Sequence, residues 1–295
     1  MRWSVFLVSL VCGAALWATW PDKEIEQEVL ASPPTSKSPL AERSQALSKE
    51  YGKKGFAVVV EPPFVVIGDE TPDRVRQRAE RTVGWAVKHL KALYFEKDPV
   101  EVITIWLFKD SDSYTRNAQE LFNDTPGTPF GYYSPSHKAL VMNISTGGGT
   151  LVHEIVHPFI RANFPDCPSW FNEGLASLYE QSGVRDDRIV GLTNWRLAGL
   201  QEAIADRKLP PFETLMRTTT EEFYDEDPGT NYAQARYLCY YLQEHGKLVP
   251  FYKAFVRDVD QDPTGLKTLK TVLGVSDLTT FQKKWEKWVL KLTFS

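Results

Sequence analysis

Cysteine is scarce in this chain: Cys12, Cys167 and Cys239 are the only three among 295 residues. No two form a C-x-x-C pair, so a cysteine-built zinc site is set aside. The chain also lacks an excess of one charge, with 34 Lys and Arg against 38 Asp and Glu and a net charge of -4. A surface that tracks nucleic-acid phosphates needs clustered Lys and Arg. None is present, so no nucleic-acid partner is expected. No internal repeat recurs, which sets aside repeat architectures.

One long uncharged run stands out. It extends from Trp3 to Trp20 and follows Arg2. The pattern is that of an export signal, with Gly13-Ala14-Ala15 as small residues for cleavage. Its 18 residues also just suffice to span a bilayer. Residues 1–20 are therefore expected to be a signal peptide or an N-terminal anchor, with residues 3–20 as the membrane tether in the second case. Ser9-Leu10-Val11 before Cys12 makes a poor lipobox. The expected place is outside the cytosol: cell envelope, periplasmic or extracellular. There Cys167 and Cys239 can pair, or remain two buried thiols.

Residues 21–55 are polar and contain "ASPPTSKSPLAERSQ". This composition reads as a linker with little core. A catalytic-sized domain is expected over residues 56–292. In its first half, 56–148, "FAVVVEPPFVVIG" gives two short strands and "VEVITIWLF" a buried one. Between them Pro72 opens a helix whose apolar stripe runs through Val75, Ala79, Val83, Ala86, Leu90 and Leu93. "FGYYS" and "KALVMNIS" read as a hairpin around Pro135-Ser136-His137. The second half, 149–292, is expected to be helical over 150–163, 170–181, 194–206, 231–245, 248–259 and 277–292. The fold class is thus α+β, a small mixed sheet with helices followed by a helical half.

The stretch "GTLVHEIVHPF" carries the chemistry. Residues four apart stand one turn above each other on a helix. His153 and His157 can therefore offer two imidazoles to one ion. Glu154 lies about 100° around the helix, where its carboxylate reaches a water near that ion without ligating it. A catalytic zinc site also needs a third protein ligand and an open position. Glu173, in "SWFNEGLASLYE", is the candidate, provided that a short antiparallel return brings the next helix alongside.

"HEIVH" followed by "WFNEGLAS" resembles the gluzincin zinc peptidases, and most of all their peptidase MA-like domains. It is more distantly similar to the thermolysin-like enzymes and the zinc aminopeptidases. The resemblance implies a zincin-like fold, one Zn2+ held by His153, His157 and Glu173, and hydrolysis of a peptide or protein substrate with Glu154 as general base. Related gluzincins take a second donor for the developing oxyanion from a later helix. Tyr232 is the best-placed candidate, ahead of Tyr237, Tyr240 and Tyr241. The resemblance also likens "KALVMNIS" to the edge strand that holds the substrate backbone.

The chain departs from the pattern in four places. Pro158 directly follows the second histidine, which predicts a helix that kinks or stops there. Ser177 occupies the position where thermolysin-like enzymes carry a histidine-orienting aspartate. The return from His157 to Glu173 is short. "ALVMNIS" lacks the amine-gripping glutamate of the aminopeptidases, which favours endopeptidase action. The alternative is a non-catalytic zinc-binding envelope protein serving in structure or partner binding. A di-iron site would require a second E-x-x-H, and none occurs.

Overall fold

The computed structural model describes residues 38–224 and 230–294. The signal or anchor expected over residues 1–20 lies outside them. From residue 37 onward the chain clusters as one unit. No helix among the described residues is long and apolar enough to cross a membrane.

The sheet explains its own sequence. Strands β1 (Ala57–Glu61), β2 (Phe64–Gly68), β3 (Ile103–Phe108), β4 (Gly131–Ser134) and β5 (Ala139–Asn143) lie in the order β1-β2-β3-β5-β4. β2, β3 and β5 run parallel, while β1 and β4 are antiparallel to their neighbours. The three central strands are buried on both faces, so they read as near-continuous apolar runs. Phe64, Val66, Ile105, Leu107, Leu140 and Met142 face one core. Val65, Ile67, Trp106, Phe108, Ala139 and Val141 face the other.

The second core is covered by α1 (Pro39–Tyr51) and α4 (Ser111–Phe122). The presence of α1 corrects the expected linker of 21–55 over its described part, from residue 38 onward, and residues 21–37 lie outside the described residues. Ser38 caps this helix, Leu47 buries against the sheet, and Arg43 Nε donates to Thr104 Oγ1 at 2.9 Å. The helix is polar because only one narrow face meets the core, and composition alone conceals such a face. The domain therefore begins before residue 56.

The first core lies under α2 (Pro72–Arg78) and α3 (Trp85–Leu93), joined by one wider helical stretch, Ala79–Gly84. α5 (Gly149–Asn163) follows the sheet and α6 (Ser169–Leu178) returns beside it. A short hairpin of β6 (Ser182–Arg185) and β7 (Arg188–Gly191) comes next. The rest is helical: α7 (Arg196–Ala205), α8 (Phe212–Leu215), α9 (Thr220–Tyr224), α10 (Asn231–Glu244), α11 (Leu248–Asp258), α12 (Leu266–Leu273) and α13 (Leu278–Val289). The α+β class thus stands, with the small hairpin interrupting the helical half.

Two expectations change here. "KALVMNIS" is not an edge strand: β5 has β3 on one side and β4 on the other, so β4 is the edge next to it. The apolar run of β5 reflects that interior place. The helix that bears His153 and His157 also does not end at Pro158, but continues to Asn163. Proline costs about 3 kcal/mol inside a helix. Against this, Phe159 is fully buried between the rings of Phe64 and Phe95, and Ile160 is buried too. Each such side chain contributes about 1.5–3 kcal/mol. Asn163 then anchors the helix end, accepting from the backbone N–H groups of Glu96 and Lys97 and donating to the Lys97 carbonyl.

Candidate metal centre

The helix pitch puts His153 and His157 on one side of α5, with their ring centroids 4.9 Å apart. Leu151, Val152, Ile155, Val156 and Phe159 bury the rest of the helix and hold that orientation. The return to α6 occupies only five residues, so Glu173 arrives beside both rings. His153 Nε2 lies 3.3 Å from Glu173 Oε2, and His157 Nε2 lies 3.8 Å from Glu173 Oε1. The three side chains can present ligand atoms all within 4.8 Å of one another.

The donor set fits a zinc ion. Ligands bound at about 2.0–2.1 Å in a tetrahedron lie roughly 3.3 Å apart. The 3.3 Å separation already matches that spacing, and the 3.8 Å one is slightly wide. Glu173 Oε2 is buried and has no hydrogen-bond partner. Its nearest ion-pair partner is His153 Nε2 at 3.3 Å, so a cation is called for there, either the protonated imidazole or a metal ion. Glu173 Oε1 is taken by the Tyr224 hydroxyl, which donates at 2.6 Å.

The electrostatics of the empty-handed side chains follow from the same geometry. Burial pushes the His153 pKa down, but Glu173 and Glu180 overcome it and raise the value to about 10. Burial pushes Glu173 up, and the two histidines overcome that and bring it to about 2. A proton on His153 thus stands where a metal cation would.

Each ligand has a partner behind it. His157 Nδ1 meets Asn172 Oδ1 at 3.0 Å. His153 Nδ1 faces Glu180 Oε1 at 3.4 Å, close enough for charge attraction but not aligned as a hydrogen bond. Glu180 is itself clamped. Arg196 donates through Nε at 2.9 Å and Nη2 at 2.8 Å, and Asn194 Nδ2 adds a third bond at 3.1 Å. Glu180 therefore takes the place that the missing aspartate left open. It lies seven residues after Glu173, in the turn just past the end of α6, and that proximity in the chain is the sequence signal that could have found it. Ser177, at the aspartate position, is fully buried and its hydroxyl has no hydrogen-bond partner.

The backbone needs two glycines and one buried arginine for this arrangement. A Cβ on Gly149 would lie 2.1 Å from the Glu180 carbonyl, so only glycine lets α5 start against that turn. A Cβ on Gly174 would press the Ala235 carbonyl at 3.0 Å, so glycine lets α6 and α10 approach closely. Gly147 has φ of 105°, a conformation that favours glycine. Arg236, fully buried on α10, donates to the carbonyls of Ser177, Leu178 and Leu192. It thereby caps the end of α6 and fixes the turn that carries Glu180.

Glu154 is half-buried and has no hydrogen-bond or ion-pair partner among the described residues. Tyr232 opens α10 with its ring under the Arg196 guanidinium, 5.2 Å away, and 6.2 Å from the Tyr224 ring. The hydroxyl that reaches the metal set is that of Tyr224, which sequence reasoning missed. Thr219 and Glu222 form a reciprocal cap that starts α9 and aims Tyr224 inward. Partial burial and the Glu173 carboxylate raise the Tyr224 pKa, so it remains a donor. The acidic run over 221–229 is only partly described: Glu221 and Glu222 are exposed, and residues 225–229 lie outside the described residues.

The weaker candidates have packing roles. His137 is exposed in the hairpin turn, meets Ser134 and Ser136, and rests against Phe122 on the far face of the sheet from the metal set. Tyr237, Tyr240 and Tyr241 are buried against Asn194 and Trp288. Cys167 and Cys239 are free thiols. A cleft of about 290 Å³ opens beside the metal set, lined in part by His157, Glu173, Tyr224 and Tyr133. A larger hollow of about 870 Å³, around Arg217 and Lys270, includes no metal-set residue, and the chemistry favours the smaller one. No protein-family model matches the chain, and no curated protein matches it.

Proposed function

We propose that this chain is an exported, zinc-dependent metallopeptidase of zincin-like fold, acting as an endopeptidase on peptide or protein substrates. The observation that carries the reading is the convergence of His153, His157 and Glu173 within 4.8 Å, with Glu154 adjoining His153 in the chain. A bound zinc ion supplies Lewis acidity, which polarises a scissile carbonyl and acidifies water. Glu154, uncommitted to any described partner, takes the proton of the attacking water and delivers it to the leaving amine. Tyr224 holds Glu173 by its hydroxyl and stands ready beside the cleft, while Tyr232 is the further candidate for the oxyanion donor. β4, at the sheet margin, offers its free backbone edge for an added substrate strand.

The test is metal analysis joined to an unbiased peptide-library digest. About one zinc per chain is expected, with cleavage abolished by chelation. Glu154→Gln should lower cleavage by about 10²- to 10⁴-fold while retaining the metal. Full hydrolysis by that variant would sink the mechanism. No cleavage of the library under any metal condition would leave the zinc-binding envelope protein in its place.

A further inference from the structure

We propose that Arg161 selects the substrate by taking a carboxylate of the bound peptide in the cleft beside the metal set. This rests on the peptidase reading and names its substrate class.

Arg161 stands four residues after His157 on α5, hence one turn along the same face. It lines the 290 Å³ cleft together with His157 and Glu173. The other lining residues are apolar or neutral, among them Ile160, Phe164, Pro165 and Asn172. Arg161 is thus the one permanently cationic side chain among those described around the cleft.

Its charge is not answered by an ion pair among the described residues. No described carboxylate lies within ion-pair distance of Arg161. Glu173, the only acid of the cleft lining, has its oxygens turned to the two histidines and Tyr224. Arg161 is exposed, and its guanidinium lies 5.3 Å above the Tyr133 ring. Tyr133 belongs to β4, the strand whose edge is offered to substrate. Stacking on an aromatic face restrains the plane of a guanidinium and leaves its N–H edge free to donate in fork geometry. A cation placed this way, between the edge strand and the metal ligands, meets whatever side chain or terminus lies next to the scissile bond. Its complement is a carboxylate, carried either by an acidic side chain or by the chain's own C-terminus.

The experiment uses the full chain as zinc-loaded Glu154→Gln, which keeps the ligands and removes the base. Three fluorescent short-peptide pools serve as probes: Gln-containing and amidated, Glu-containing and amidated, and Gln-containing with a free terminal acid. One carboxylate pool should bind about 10- to 100-fold tighter than the amidated Gln pool, the range of a charge-assisted hydrogen-bonded pair. Preference for the Glu pool assigns an acidic side chain, and preference for the free-acid pool assigns the C-terminus. Adding Arg161→Ala should bring the ratio near 1, and Arg161→Glu should turn it towards a Lys-containing pool. Equal binding of all pools, no binding of any, or a preference that Arg161→Ala leaves intact overturns the proposal. Wild-type digestion of the same pools reports separately on the peptidase reading. Arg161-dependent binding without cleavage rejects that reading alone, and cleavage without carboxylate preference rejects the Arg161 assignment alone.

Discussion

The two helices that carry the ligands are held in contrasting ways. α5 brings its histidines together by local pitch and lies on the sheet through an ordinary apolar stripe. α6 contributes Glu173 from a position set almost wholly by distant residues: Arg236 on α10 caps it, and Arg196 on α7 holds the turn that follows. The first helix sets the spacing of the two candidate imidazole ligands. The second determines how those atoms are charged and aimed. Ligand spacing is thus a property of a few neighbouring residues, whereas ligand environment is a property of the whole helical half.

The largest effect should come from breaking the junction of the two helices. Glu173→Ala removes one ligand and leaves the His153 charge facing a single acid. Zinc retention after dialysis should be lost, and the metal-free fold should lose about 3–5 kcal/mol, the cost of stranding one half of a buried pair. Equilibrium urea unfolding and metal analysis check both. Retained stoichiometric zinc would show that the two helices do not share the ion.

Glu180→Gln tests the α6 side alone, since it spares every ligand. It should weaken zinc affinity about 10- to 100-fold, as loss of a ligand-orienting partner does. Chelator competition measures it, and an unchanged affinity would mean that the 3.4 Å approach to His153 does not orient the ring.

Acidity probes both helices at once. In the metal-free chain the raised His153 value, about 10 against an ordinary 6.5, gives stability that is full below 6.5 and fades as pH rises through 10. The lowered Glu173 value, about 2 against 4.5, gives stability present above 4.5 and lost as pH falls through 2. Both contributions are at full value between about pH 4.5 and 6.5. Zinc must displace the His153 proton, so its affinity should rise by about tenfold per pH unit from pH 7 to 9. Calorimetry in buffers of different ionisation enthalpy should count about one proton released per zinc.

The smallest effect should be that of Tyr224→Phe. It removes one hydrogen bond to a charged group, worth about 1.5–3 kcal/mol, and only Glu173 loses a partner. Zinc should remain bound, with cleavage reduced about tenfold or more if the hydroxyl also serves the reaction. Comparison with Tyr232→Phe then separates the two tyrosines.

Much was legible in the chain of letters. The α+β class, the buried strands and the helices that bear His153, His157 and Glu173 all follow from periodicities of two and 3.6. These are local steric and hydrogen-bonding facts that survive any tertiary context. Pro158 misled for the converse reason: its local penalty is real, but buried Phe159 and Ile160 outweigh it. α1 was hidden because a helix with one buried leucine has the composition of a linker.

The sequence by itself determined the candidate ligand types, the spacing of His153 and His157 on α5 and the place of Glu154 beside them. Only the tertiary structure decided that β4 and not β5 forms the sheet margin, that Glu180 faces His153, and that Tyr224 is the tyrosine bonded to Glu173. Those relations join residues 27 and 51 positions apart, or depend on strand order. Helical pitch carries over a few residues, and beyond that the packing of Gly149 and Gly174 against neighbouring backbone decides which side chains meet.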